Sequence, residues 1–242
     1  MKYMLKSIFK IALLLVCLPA ISQEKVKDTI AAPVKTQRYG IRVGTDLYRL
    51  ARTAFDDKYQ GFEIVGDYRV SKKFYAAAEI GNEKITVDDD QVNFTANGGY
   101  IKLGFDYNAY ENWLDMENMI FVGLRYGFSN FSQTVNSYTV YDRAGYFPED
   151  IQYPNTEYSG LTAHWGEVIG GIKAEVLNNL YMSFSLRLNI LFTDKKPDNF
   201  DNLYIPGFNR TYDGSFGAGF NYTVSYFIPI YKKTSKAPEA KK

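Results

Sequence analysis

Two residue types that carry much of protein chemistry are almost missing from this chain. It has one cysteine, Cys17, and one histidine, His164. Cys17 lies in a segment read below as a removable leader, so the mature chain is expected to have no thiol and no disulfide. With a single histidine left, few routes remain to zinc or thiol chemistry, and no cofactor is expected. Excess charge is missing too. The formal net charge is +1, which excludes the basic stripe that a nucleic-acid partner requires. Past the leader there is no run of about 18 apolar residues, so no helix is expected to cross a membrane.

Aromatic residues are abundant. Tyr, Phe and Trp make up 17% of the chain, with 21 Tyr and 17 Phe, and Tyr and Trp concentrate at membrane interfaces. The first residues carry Lys2, Lys6 and Lys10, then an apolar stretch over 11–18, then Ala20-Ile21-Ser22. That order of basic start, short apolar core and small residues reads as a secretory signal peptide over 1–22, cut before Gln23. Val16 stands before Cys17 where a lipoprotein signal would carry a small residue. Residues 23–37 are polar without period and read as a disordered periplasmic lead-in. Within them Asp28-Thr29-Ile30 resembles a short O-glycosylation motif of Bacteroidota.

From Arg38 to about residue 230 the pattern is alternation of period two, the signature of strands with two unlike faces. Tyr39, Ile41, Val43 and Leu47 oppose Arg42, Gly44 and Asp46. Phe62, Ile64 and Tyr68 oppose Glu63, Asp67 and Arg69, and Phe74, Ala76, Ala78 and Ile80 oppose Tyr75, Glu79 and Glu83. The pattern recurs around Lys102 and Asp106, around Arg125, around Glu167, Lys173 and Glu175, around Arg187, and over 213–226. These segments predict eight antiparallel strands. Tight turns are expected at Ser71-Lys72-Lys73 and Asn178-Asn179. Long connections are expected over roughly 84–97, 130–161 and 193–209. Short turns on one side and long loops on the other is the layout of an outer-membrane barrel, with both termini in the periplasm. A basic tail over 231–242 follows.

Alternation alone does not say which face points inward; a soluble ligand-binding barrel would bury the apolar one. Three features favour the inverted, transmembrane arrangement. Aromatics such as Tyr39, Tyr68, Phe74, Tyr107, Tyr126 and Tyr226 stand near strand ends, as interfacial girdles do. The polar face mixes small residues with both charge signs, and the loops alternate long and short. The fold class is therefore all-β, an eight-stranded antiparallel transmembrane β-barrel. The stretch Gly61-Phe62-Glu63-Ile64-Val65-Gly66-Asp67-Tyr68-Arg69, with Lys72-Lys73-Phe74-Tyr75-Ala76-Ala77-Ala78-Glu79-Ile80-Gly81, resembles an outer-membrane β-barrel family of unknown function in Bacteroidota. It is similar in architecture to the small OmpA and OmpX barrels. The resemblance implies location and topology and carries no catalytic residues.

The inward charges form the most distinctive candidate set: Arg42, Arg69, Lys102, Arg125, Lys173 and Arg187 with Glu63, Asp67, Glu79, Asp106, Glu167 and Glu175. An eight-stranded interior is just wide enough to be filled by side chains. Charges held there are expected to pair into a network that closes the lumen, rather than to line an ion path. His164 invites comparison with barrels that deacylate lipid A, but Leu161-Thr162-Ala163-His164-Trp165-Gly166 lacks their His-x-Ser pattern. Ser159 falls in the preceding loop and Glu167 on the opposite face. Asp88-Asp89-Asp90 lacks the spaced ligands and turn glycine of a calcium loop. One outer loop holds Tyr138, Tyr141, Tyr146, Phe147, Tyr153 and Tyr158. They are expected either to contact a partner or to pack back over the barrel mouth, since Tyr is a low-entropy contact residue.

These readings converge on a non-enzymatic, integral outer-membrane barrel with a plugged polar lumen, acting through its outer loops. Its expected partners are outer-membrane lipid and an envelope protein. A lipid-modifying enzyme and a small pore are the alternatives.

Overall fold

Eight of the nine strands hydrogen-bond into a closed antiparallel ring in the computed structural model. It describes residues 36–110, 117–140, 150–198, 200–210 and 215–234. The strands are β1 (Thr36–Asp46), β2 (Tyr59–Arg69), β3 (Phe74–Asp88), β4 (Val92–Asn108), β5 (Met119–Val140), β6 (Asp150–Gln152), β7 (Thr156–Leu177), β8 (Leu180–Asp194) and β9 (Phe216–Thr234). Around the wall the order is β4-β3-β2-β1-β9-β8-β7-β5, and pairing of β4 with β5 closes it. The short β6 lies on the far end of β5. A helix, α1 (Leu47–Phe55), joins β1 to β2. Closure removes the unpaired edges that an open sheet would present, a condition for a sheet in hydrocarbon. The leader, most of the lead-in and the end of the tail lie outside the described residues. Thr36 and Gln37 belong to β1, and residues 231–234 to β9, where the two strands pair from Thr36↔Thr234 onward.

The alternation sorts as expected. Along β8, Tyr181, Ser183, Ser185, Arg187 and Asn189 are buried, while Phe184, Leu186, Leu188 and Ile190 are exposed. The same inversion runs around the ring: Ile41, Phe62, Ile80, Leu103, Ile120, Val168 and Phe220 all stand on the outside. A soluble protein does not expose a continuous apolar belt of this size. The barrel is therefore of the transmembrane kind. Tyr68, Phe74, Tyr126 and Tyr226 lie on the belt as foreseen, but Tyr39 does not. A register shift between Tyr39 and Gly40 leaves Tyr39 buried, stacked on Tyr231 at 5.1 Å, with the Arg69 guanidinium 5.1 Å from its ring centre.

The connections depart from expectation at one end. Residues 84–97 and much of 130–161 are strand rather than loop. β3 and β4 turn over 89–91, and β5 and β7 each run for 22 residues. There the polar Thr95, Asn97, Ser132 and Thr134 stand on the outer face while Phe94, Phe131 and Val135 are buried, an inverted alternation that hides strand from a pattern reading. The other end matches the short-turn expectation. Asn179, at φ 63, sits in a two-residue hairpin that favours left-handed residues. Leu47 begins α1 rather than ending β1. Asp46 caps that helix by accepting from Tyr48 N at 2.7 Å and Arg49 N at 3.2 Å, which satisfies amide donors that the first turn leaves open.

The register makes a direct prediction. Leu186→Arg places a cation in the apolar belt and is expected to weaken folding into bilayers by about 2–4 kcal/mol. Leu188→Phe, on the same face, is expected to be tolerated. Equilibrium refolding into lipid vesicles checks both; equal effects would mean that this face is not lipid-facing.

Candidate functional site

Both chain ends of the barrel reach one rim, and paired charges follow from there toward the opposite mouth. At the terminal rim Arg38 holds Glu175 at 2.9 Å and Glu117 at 3.4 Å, and donates to Asn179 Oδ1 at 2.9 Å. Arg69 donates to the carbonyls of Arg38 and Lys72 at 3.0 and 3.1 Å. Next, Asp67 accepts from Arg42 Nε at 2.7 Å and Lys173 Nζ at 2.5 Å. The Arg42 guanidinium lies 4.8 Å from the Tyr75 ring centre and 5.1 Å from that of Tyr181, so aromatic faces supply part of its solvation.

The middle of the barrel is organised around Glu79. Arg187 donates to both of its oxygens, at 2.7 and 3.0 Å, the forked geometry that suits guanidinium to carboxylate. Arg125 reaches Glu79 at 3.3 Å and Asp106 at 2.8 Å. Arg187 also reaches Glu167 at 2.8 Å, and Lys102 joins Glu167 at 3.1 Å. Trp165 Nε1 donates to Glu167 at 2.7 Å. These groups come from β3, β4, β5, β7 and β8, so one cluster ties most of the wall together. A cavity of ≈ 40 Å³ remains beside it, bounded in part by Asp67, Asp106, Lys173 and Ser225.

Toward the far mouth lie groups that the sequence reading left out of the network. Arg49, from α1, points back into the ring and pairs with Glu83 and, at 3.5 Å, with Glu63. Its burial opposes the charged form, but Glu63 and the surrounding Tyr100, Tyr59 and Tyr204 together outweigh that, and its pKa is raised. Glu63 also accepts from Tyr100 Oη at 2.6 Å and Asn221 at 2.7 Å. Alternation places Glu83 and Asp46 on polar faces, yet nothing in the sequence announces that a helix will return a cation to meet them. The segment between β8 and β9 is the second surprise. Rather than standing free as a loop, it turns into the mouth. Tyr204, Ile205 and Phe208 are buried, with Ile205 and Phe208 among Tyr100, Phe131, Leu161 and Trp165. Gln133 clamps the segment by donating to Asp201 O at 3.0 Å and accepting from Leu203 N at 2.8 Å. Glu83 accepts from Gly207 N at 2.7 Å and Tyr204 Oη at 3.2 Å. Gly207 adopts φ +82 against the Tyr100 ring, a backbone conformation open to glycine at little cost. The apolar run Leu203-Tyr204-Ile205 before Pro206-Gly207 was the available signal, because a solvated loop has no need of it.

Beside that segment a cavity of ≈ 510 Å³ opens at the mouth. Arg49, Arg52, Tyr59, Tyr204, Arg210 and Phe220 are among its lining residues. Asp88 is engaged at its edge: the side-chain amide of Asn93 and then Lys58 hold its carboxyl below the usual range. The acidic run is thus a strand-turn element. Among the described residues no cluster of His, Cys, Asp and Glu is arranged to hold a metal. The tyrosine set divides. Tyr138 packs near Phe200, 5.9 Å between centroids, and Tyr158 packs against the mouth cluster. Tyr153 is exposed, and Tyr141, Tyr146 and Phe147 lie outside the described residues. His164 faces outward with Nδ1 2.8 Å from Tyr126 Oη, while Glu167 is buried across the wall and Ser159 is exposed. The three do not meet.

Removing Glu79 strips charge compensation from Arg187, Arg125 and Lys102 together. Glu79→Ala is expected to destabilise the folded barrel by about 3–5 kcal/mol, the usual penalty for breaking a buried pair. Urea unfolding from lipid vesicles measures it. A Cβ on Gly127 would fall within the Trp165 ring. Gly127→Ala is therefore expected to displace Trp165 from Glu167 and cost about 1–3 kcal/mol, visible as a changed near-ultraviolet dichroism spectrum.

No curated protein sequence matches this chain significantly. Among solved structures it is similar to Neisserial surface protein A, NspA, at 9% identity and a TM-score of 0.42 over 80% of this chain and 99% of that one. It is also similar to Ail, the attachment invasion locus protein of Yersinia pestis, at 8% identity and a TM-score of 0.39 over 78% and 97%. The family described as "Domain of unknown function (DUF6048)" matches residues 4–233, nearly the whole chain, and the protein belongs to it.

Proposed function

We propose that this protein is a non-enzymatic, non-conducting barrel of the bacterial outer membrane that acts as a rigid platform for contacts at its outer mouth. The observation that carries this reading is the filled interior. Arg187, Arg125 and Lys102 reach across the lumen to Glu79 and Glu167, and Ile205 and Phe208 are seated above them. A selective pore more often presents a ring of one charge sign around an open path; here both signs are paired, and the ≈ 40 Å³ cavity is small. The apolar belt supplies the membrane location. Short turns at the terminal rim support a periplasmic assignment of both termini, since outer-membrane barrels carry their short turns on that side. The far end, with its tall β5 and β7, then faces outward and offers α1, the mouth cavity and Tyr153 to an envelope partner. A rigid scaffold carrying functional loops is a common division of labour.

Planar-bilayer recording with the purified, folded protein tests the closed lumen. No single-channel steps are expected from the wild type. Deleting residues 202–209 removes the seated segment but leaves the Glu79 cluster, so it too is expected to remain silent. Steps from the wild type that change ion selectivity with Arg125→Glu would overturn the closed reading in favour of a pore. Co-purification from native membranes tests the platform: a protein recovered with wild type and reduced with Tyr153→Ala is the expected result.

A further inference from the structure

A groove of ≈ 430 Å³ crosses the outside of the barrel, and among its lining residues are Leu103, Leu124, Tyr126, Gly166, Val168 and Phe192. We propose that it seats one acyl chain of an anionic membrane lipid, with the headgroup beside Lys195 at the end of the barrel opposite the chain termini. This rests on the membrane reading above and goes beyond it, because it singles out one part of the belt.

The groove exists because β7 offers glycine to the lipid side where its neighbours offer bulk. Gly166 stands opposite Tyr126 on β5 and Ile190 on β8. With no side chain there, the Phe192 ring lies down over Gly166, its tip 2.6 Å from where a Cβ would stand, and it forms the floor with strand backbone already used in the ladders to both neighbours. It therefore asks nothing of an occupant but contact. Tyr126 stands beside that ring, with centroids 6.5 Å apart. Lipid tails are as apolar as the groove, so entering it brings no hydrophobic gain; packing contact and the headgroup must hold a chain there.

The polar end supplies the second part. His164 Nδ1 lies 2.8 Å from Tyr126 Oη, two residues beyond Gly166 on the same face. Lys195 follows β8 three residues after Phe192; it is exposed, and its Nζ donates to Gly160 O at 3.3 Å. Among the described residues this ammonium meets a neutral carbonyl and no carboxylate, so its charge suits a lipid phosphate.

The test uses the full protein folded into vesicles of phosphatidylethanolamine and phosphatidylglycerol, each lipid in turn carrying a photoreactive acyl chain. Cross-links are mapped by mass spectrometry. Labelling at Leu103, Leu124, Val168 and Phe192 is expected to exceed that at Ile64, Leu186 and Phe220 by about tenfold, or about 1.4 kcal/mol. Gly166→Phe pushes the Phe192 ring off the floor and is expected to lower groove labelling to the level of the rest of the belt. Gly170→Phe adds the same bulk four residues along β7, where nothing lies within 4 Å of an added Cβ, and is expected to leave it unchanged. Lys195→Glu is expected to lower labelling by phosphatidylglycerol and not by phosphatidylethanolamine. Retained heat-modifiable mobility shows that each variant folds. Even labelling around the belt, an equal effect of Gly170→Phe, or copy-to-copy cross-links occupying the groove would overturn the proposal. Absence of labelling anywhere on the belt would instead overturn the membrane reading.

Discussion

Everything inside this barrel depends on one requirement: a charge taken from water into the ring must find its opposite there. Glu79 satisfies it most densely, facing Arg187, Arg125 and Lys102 from three other strands. Losing any one partner leaves the others uncompensated in a space too narrow for bulk water to repair the loss. The same requirement acts at each level along the axis, through Asp67 near the terminal rim and Glu63 and Glu83 near the mouth. Because Glu79, Asp67 and Glu167 are each met by at least one cation from a non-adjacent strand, the pairs also brace the wall across its diameter. The backbone ladder by itself links only neighbours.

Much of this was legible in the sequence, for a simple reason. A strand in a membrane barrel has two faces in unlike media, and a period of two records that at every residue. The inward charges of β1 to β9 were therefore placed with nothing more than parity. Parity misleads where the media exchange places. Beyond the belt the apolar residues turn inward, with Ile85, Phe94, Phe131 and Val135 buried, and the outer face is polar, so Thr95, Asn97, Ser132 and Thr134 read as loop although they are strand. It fails again at Tyr39, where a register shift takes a girdle aromatic out of the belt.

What the pattern could not convey is chain reversal into the lumen. Arg49 belongs to a helix, and Tyr204, Ile205 and Phe208 to a segment outside any long strand, yet all four are buried with the interior groups. Their partners are far away in sequence; Gly207 N and Glu83 are an example. No local rule encodes such a contact. The clue was negative: apolar residues in 203–208 with no strand period to explain them. An unexplained apolar run in a loop is better read as a request for cover than as solvent-exposed coil.

The two devices at the mouth are coupled through one carboxylate. Glu83 accepts from Tyr59 at 2.7 Å, from Tyr204 at 3.2 Å and from the amide of Gly207 at 2.7 Å, and it pairs with Arg49. It therefore joins β2, β3, α1 and the seated segment at a single point. A ligand or partner that drew Arg49 outward would uncover Glu83, whose remaining donors are neutral and cannot replace the lost charge. The seated segment would lose part of its anchor at the same moment. The lower lumen would be untouched, since Glu79 and Glu167 hold their own cations. Under the proposed reading, the mouth would then respond to what binds there while the pairs of Glu79 and Glu167 beneath it stay intact, the behaviour expected of a platform rather than of a gate.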